Sequence, residues 1–395
     1  MKFKVFPEDF FVEEVLKEGV LKEKGIFKLY KAKKVFLESF YLKKLIERAF
    51  NVKISLAGLK DKKSVSIFYF TAKGNLPNFI KFKDFSAELV GFSDKELSGS
   101  DIEKNNFKIT MREINEEELE SLIEVIEDLK VNGFPNYFDI QRLSYEPASL
   151  FFPYILKRDY KEAIKVHLLS LSPESRKNLR RFKKILKRSF YEPAKLIYFA
   201  PSKKEREIIN KLIKGKYIEI LKSIEPEILK IYFEKFSSYL WNKCASKFLS
   251  KGKISGKVGF KLKIKNVYLF VPEKINESAK RIVESSLFPV LGTDKLVSHP
   301  EFEEILIKEL RKENIDYPLN IPDFLRNFSY KSYPRKLWIY PQNLSYDYKD
   351  KNLILNFSLD PGAYATLFIK LLIKKLKLCI LRRKNKNGND CKNYS

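Results

Sequence analysis

Histidine is nearly absent from the 395 residues, with His167 and His299 the only two. A histidine metal centre or a Ser-His-Asp triad would need one of them. His167 instead lies beside Ile164 and Leu168 in a helical pattern, and His299 precedes Pro300 in a loop-like stretch. Cys244, Cys379 and Cys391 are odd in number and lack CxxC spacing, so neither a disulfide framework nor a zinc knuckle is signalled. Gln141 and Gln342 are the only glutamines. No stretch supplies the roughly eighteen uncharged apolar residues of a membrane span. The opening MKFKVFPEDF meets acidic residues at once, unlike a signal peptide, and a cytoplasmic location is expected. No metal or nucleotide-cofactor motif is found. Acidic residues are outnumbered, 50 against 77 Lys and Arg, leaving a net charge of +27. That excess favours a polyanionic partner, nucleic acid first, although a lysine-rich proteome would also make basic proteins.

What is there suffices for a large core. Hydrophobic residues make up 44% of the chain, and its length favours two domains. FKVF, FFVEEVL and IFKLYKA read as strands; Leu42, Leu45, Ile46, Ala49 and Phe50 then share one helical face. The loop LAGLKDKKS and the strand-like VSIFYFTA follow. Phe107, Ile109 and Met111 alternate with polar residues, ahead of a helix that Asn115 can cap with Glu118 at the capping-box position. From about residue 155 the chain turns helical and basic, as in RKNLRRFKKILKRS, with a long helix around ILKIYFEKFSSYLWNKCASKFL. Beyond SYPRKLWIYP it returns to a strand, LILNFSL, and a helix, YATLFIKLLIKKL. The pattern predicts a core from 1–155 and 335–380, an inserted domain at 156–334, and a basic disordered tail at 381–395.

Four dispersed segments carry the candidate chemistry: EDFFVEE (8–14), AGLKDKKSV (57–65), NYFDIQR (136–142) and LDPGAYAT (359–366). In this order they resemble the signature segments of the TruD family of tRNA pseudouridine synthases. Weaker echoes stand at SSYLWN (237–242), FPVLG (288–292) and around Arg335. The resemblance implies an α+β fold, in which a pseudouridine-synthase core with a mixed, largely antiparallel sheet is interrupted by an inserted α+β domain. It implies isomerisation of uridine, position 13 of tRNA in the family, with Asp61 as the catalytic carboxylate. Glu14, Lys60, Asn136, Phe138, Gln141, Arg142 and Tyr364 become the residues expected around the substrate. No cofactor, no metal and a monomer binding tRNA are expected. The chain departs from the family pattern at Phe68, Asp139, Leu143, Ser144, Asp360, Lys370 and Leu371.

The residue types suit that chemistry. The N1 to C1′ bond of uridine must break, the base must turn, and C5 must join C1′. An aspartate can attack as a nucleophile or take a proton from the sugar, and the sequence leaves both routes open. A nearby cation would favour its ionised form, and Lys60 and Lys62 flank it. A stacked uridine must leave its stack, and Phe138 and Tyr364 are candidates to replace the lost contacts, with Tyr137 a further one. Asn136 and Gln141 can bind polar edges, while Arg142 can hold a phosphate or an internal carboxylate. Basic runs at 176–188 and 370–377 fit phosphate contacts, the second equally a solvated helix face. Taken alone, Asp61 reads equally as a loop or capping residue, and the aromatics as core. A non-catalytic RNA-binding protein on the same fold is the alternative; a two-metal nuclease lacks the carboxylate cluster it needs.

Overall fold

A computed structural model describes residues 1–58, 60–143, 147–170, 177–255, 258–264, 266–294 and 299–390. Leu59 of the second signature segment, Ser144, Arg176 and residues 391–395 of the tail lie outside them. The chain forms two compact units, 1–136 with 338–395, and 137–337. The first unit is discontinuous in sequence, and the second lies between its two parts along the chain. Tyr137–Ile155, however, which the sequence reading gave to the core, falls in the second unit.

The first unit is built on one ten-stranded sheet. In chain order its strands are β1 (Lys2–Phe3), β2 (Phe10–Leu16), β3 (Phe27–Val35), β4 (Lys53–Leu56), β5 (Val65–Lys73), β6 (Phe79–Phe82), β7 (Phe85–Ser93), β8 (Ile102–Arg112) and the hairpin Gln342–Lys349 and Asn352–Leu359. Across the sheet the order is the hairpin, β8, β2, β5, β3, β7 and β6, with β1 on β8 and β4 on β5. Among the described strands only β2 and β5 pair in parallel, with Phe11 opposite Val65. The fold is therefore α+β with a mixed, largely antiparallel sheet.

Period-two alternation explains the sheet's buried faces. Tyr30 and Ala32 of β3, Phe68 and Phe70 of β5 and Ala87 of β7 meet Leu42 and Ile46 of α1 (Ser39–Phe50) in one core. Tyr30 and Phe70 stack at 5.0 Å. Towards the other edge, Phe107 stacks on Phe357 at 5.4 Å, and Phe357 meets Phe368 of the C-terminal helix Ala365–Asp390 at 4.7 Å. Phe68, one of the departures from the family pattern, is simply core.

Two local expectations are corrected. The helix α2 (Glu116–Asn132) begins after Asn115, but the Asn115 side chain makes no capping bond; only its carbonyl accepts, from the Glu118 N–H at 3.0 Å. The C-terminal helix runs to Asp390, past Leu381 where order was expected to end. Arg383 reaches Glu120 and Glu124 of α2 at 3.1 and 2.7 Å.

The second unit is mainly helical, with two short antiparallel sheets, Gly259–Ile264 with Val267–Pro272 and Leu287–Val290 with Tyr333–Lys336. The expected long helix spans Pro226–Leu249 and buries Tyr232, Phe233, Phe236, Trp241 and Phe248. Phe151 and Phe152 pack on Tyr232 and Phe233 at 4.6 and 4.8 Å, which is why the stretch before residue 156 joins this unit. His167 is buried with Nδ1 2.9 Å from the Tyr232 hydroxyl, and burial lowers its pKa to about 4. It serves the core, as does His299, whose ring lies 5.4 Å from Phe288.

Candidate active site

Asp61 sits in the loop joining β4 to β5, so a strand follows it and the helix-capping reading falls away. The loop is fixed from several sides. The Lys60 N–H donates to the Ser39 hydroxyl at 3.0 Å, and that hydroxyl donates back to the Lys60 carbonyl at 3.2 Å. The Asp61 carbonyl accepts from the Ser64 hydroxyl at 2.7 Å and from Lys34 Nζ at 2.6 Å. Oδ1 of Asp61 accepts from the Lys63 N–H at 3.1 Å, a turn of the ordinary aspartate kind. Its other oxygen, Oδ2, is ion-paired with Lys4, and the carboxylate keeps 18% of its side-chain surface exposed. The group is therefore oriented and reachable, as a nucleophile or base must be.

Lys60 is not the cation beside Asp61. Lys60 turns away to Glu14 Oε1 at 2.6 Å and Asn105 Oδ1 at 2.8 Å, while Lys62 lies 5.9 Å from the Phe36 ring. Lys4 and Lys34 both contact Asp61. Lys4 reaches Asp61 because Asp9 folds the segment before β2: its Oδ2 accepts from the N–H groups of Val5 and Phe6 at 3.0 and 2.9 Å, and its Oδ1 from Arg112 at 2.7 Å. Burial opposes the charge of Asp9, yet Arg112 and those two N–H groups prevail and hold its carboxyl below the usual range. The Lys4 ammonium also lies 3.9 Å from the Phe10 ring centre.

Lys34 is fully buried, with Nζ also donating to the Leu37 carbonyl at 2.8 Å. Desolvation drives its pKa down to about 8, although the Asp61 charge pulls the other way. One signal for it was present: Lys34 follows Tyr30 and Ala32 at period two, a lysine on the core face of its strand. Lys4, 57 residues before Asp61, carried none.

The opening EDFFVEE segment thus supports the loop. Glu14 is buried, with Oε2 accepting from the Tyr69 N–H at 2.9 Å and Oε1 held by Lys60, so both oxygens are engaged inside the protein. Of the other named residues in this unit, Asn136 is buried and Tyr364 half-buried. Tyr364 follows Gly362, whose φ of +80° suits a glycine, and its carbonyl accepts from the Leu367 N–H at 3.0 Å as the last helix begins. Asp360 accepts from Gln342 at 2.9 Å. Lys375 of the second basic run pairs with Asp128 and so is partly internal.

In the second unit the NYFDIQR segment gathers the weak echoes around itself. The Phe138 N–H donates to Asn242 Oδ1, and Asn242 Nδ2 donates to the Phe138 carbonyl, both at 2.8 Å. The Phe138 ring meets Trp241 edge-on at 5.6 Å, and the Arg335 guanidinium lies over it at 3.9 Å. Trp241 donates to the Phe288 carbonyl at 3.3 Å, and Phe288 pairs with Arg335 across the short sheet. Residues of SSYLWN, FPVLG and the Arg335 segment therefore meet at Phe138, Trp241 and Asn242 among them. Phe138 is only 3% exposed, its ring occupied by these neighbours, and Tyr137 is core, its hydroxyl donating to the Phe270 carbonyl at 2.6 Å. Arg142 holds Glu234 at 2.8 Å, the internal carboxylate considered for it, and Gln141 is exposed. Among the described residues, no three His, Cys, Asp or Glu side chains converge as metal ligands would, and no helix is long and apolar enough to cross a membrane.

Residues 1–372 match the family described as tRNA pseudouridine synthase D, TruD. The tRNA pseudouridine synthase D of Aquifex aeolicus is 28% identical over 387 residues, covering 94% of this chain and 98% of its own. That of Leptospira interrogans is 26% identical, covering 94% and 96%. A crystal structure from Methanosarcina mazei, itself a provisional TruD assignment, superposes with a TM-score of 0.63 at 21% identity over 95% of this chain and 93% of its own, a likeness of fold. With four signature segments in order on an α+β fold and a family match over nearly its whole length, the chain belongs to the TruD family of tRNA pseudouridine synthases, and is an isomerase.

Proposed function

We propose that Asp61 is the catalytic carboxylate and that the uridine isomerised is position 13 of tRNA, without a cofactor. The observation that carries this reading is the Lys4–Asp61 ion pair on a loop pinned by Lys34, Ser39 and Ser64. The carboxylate either acts on C1′ directly or takes a proton from the ribose. The detached base turns and C5 joins C1′; the proton on C5 leaves and N1 gains one, so no electron is gained or lost. Glu14 and Lys60 hold the loop rather than the base. Asn136, Gln141, Arg142 and Tyr364 remain the residues proposed to take up the uridine, with Phe138 and Arg335 as a prepared aromatic and cationic pair. The protein acts as a monomer in the cytoplasm on this reading.

Asp61→Asn tests it. The substitution keeps shape and the turn but removes charge and basicity, so pseudouridine formation on purified tRNA should stop while melting temperature and tRNA affinity stay near wild type. A folded, tRNA-binding Asp61→Asn protein that still turns over near the wild-type rate would sink the assignment. EDTA should leave wild-type activity in place; a requirement for an added metal would overturn the cofactor-free part.

A further inference from the structure

The helix Lys177–Ser189 differs in kind from the helices around it. Phe182 and Leu186 are buried on one side, and Arg180, Arg181, Lys184, Lys187 and Arg188 are exposed on the other. At 100° per residue these five cations fall on one stripe opposite the apolar pair. Among the described residues none of the five has a carboxylate partner, whereas Lys195, Lys204 and Lys216 nearby are paired with Glu192, Glu225 and Glu219. A stripe of uncompensated like charge on one helix is self-repelling, and an anion relieves it.

Beside the stripe lie two exposed aromatic residues. The turn Ile197–Phe199 carries Tyr198, 84% exposed, and Phe199, 38% exposed. Arg181 lies 5.7 Å from the Phe199 ring centre, which ties the aromatic pair to the cationic face. Tyr191, also exposed, differs: Lys161 and Lys165 cover its ring at 4.9 and 4.8 Å, and its hydroxyl bonds Glu162. Among the described residues Tyr198 has no hydrogen bond, ring contact or cation contact. An open aromatic ring next to a row of free cations fits a strand whose phosphates and bases are both accessible. A duplex offers only phosphates to such a surface, and its bases are stacked away.

Resting on tRNA as substrate but independent of Asp61, we propose that this face of the 137–337 unit docks an unpaired stretch of the tRNA. Phosphates lie along Arg180, Arg181, Lys184 and Arg188, and bases stack on Tyr198 and Phe199. The surface holds and orients the tRNA and takes no part in the chemistry.

The test compares full-length wild type, the R180A/R181A/K184A/R188A variant, Tyr198→Ala and Tyr198→Phe, each checked for unchanged melting temperature. Unmodified tRNA is the ligand; a short single-stranded oligouridylate and an RNA duplex of equal length are competitors. The charge variant should flatten the log–log salt dependence of tRNA affinity by roughly 3. Tyr198→Ala should weaken tRNA binding by about 5- to 150-fold, the range for one stacked base, and Tyr198→Phe should restore it. Oligouridylate should compete better than duplex against wild type, with that preference lost in Tyr198→Ala. Turnover at saturating tRNA should survive in all of them, which separates this surface from Asp61→Asn, where binding survives and turnover stops. Wild-type affinity and salt slope in the charge variant overturn the proposal. So does a Tyr198→Ala protein with wild-type affinity, or a duplex that competes as well as the single strand.

Discussion

Lys34 donates its ammonium to the main-chain carbonyl of Asp61 at 2.6 Å from a fully buried position under the loop. It holds the backbone, while Lys4 meets the carboxylate. The two lysines thus separate placement of the residue from pairing of its charge, and can be removed one at a time.

Lys34→Met should lower kcat at least tenfold with little change in tRNA affinity, because the carbonyl of Asp61 keeps only the Ser64 hydroxyl of its two donors and a small displacement of a reacting group is costly. Single-turnover kinetics beside filter binding would show it; a tRNA affinity that falls as much as kcat would place Lys34 in RNA binding instead.

The pH dependence of stability should change in the same variant. The folded pKa of Lys34 is about 8 against an ordinary 10.5, so below about 8 folded and unfolded chains both hold the proton. Between the two values only the unfolded chain binds it, and stability gains a contribution that grows with pH. Wild-type minus variant unfolding free energy should therefore rise between pH 8 and 10.5. A flat difference curve would mean that Lys34 is not desolvated.

His167 gives a second window of the same sign. Its folded value of about 4 lies below the ordinary 6.5, so the unfolded state takes up the proton first as pH falls. Stability should drop by roughly 3 kcal/mol across that interval, and His167→Gln should remove most of the drop. Urea titrations at several pH values decide it.

Glu14 and Lys60 form a largely buried pair, with 1% and 13% of their side chains exposed. Glu14→Ala strands the ammonium and should cost about 3 to 5 kcal/mol of stability. Adding Lys60→Met should recover part of that loss, a non-additivity that a double-mutant cycle measures. Additive losses would show the pair to be uncoupled.

The sheet of the first unit and its helix were legible because their periods are local: FFVEEVL alternates, and Leu42 and Ile46 recur one helical turn apart. β4 and β6 were missed because four residues are too few to show a period, and β7 and the strand Gln342–Lys349 also went unread. The Asp61 loop was legible as a motif, but Lys4 beside it was not, since it arrives through a turn built by Asp9 and Arg112 that no spacing announces. The neighbours of Phe138 were not legible because its own segment says nothing of Trp241 or Arg335, one hundred and more residues away. The weak echoes at 237–242 and near 335 had an address all along, visible only once the long helix and the short sheet bring them to Phe138.

The parallel pairing of β2 with β5 gives the site its polarity. Strands running the same way begin at the same end of the sheet, so the segment entering β2, with Lys4 and Asp9, and the segment entering β5, with Asp61, emerge side by side. Had β2 run the other way, its seven residues would have carried Lys4 about 23 Å from the carboxylate, and no local adjustment of the loop could have closed that gap. Strand direction, rather than any single contact, decides that the cation and the carboxylate can meet.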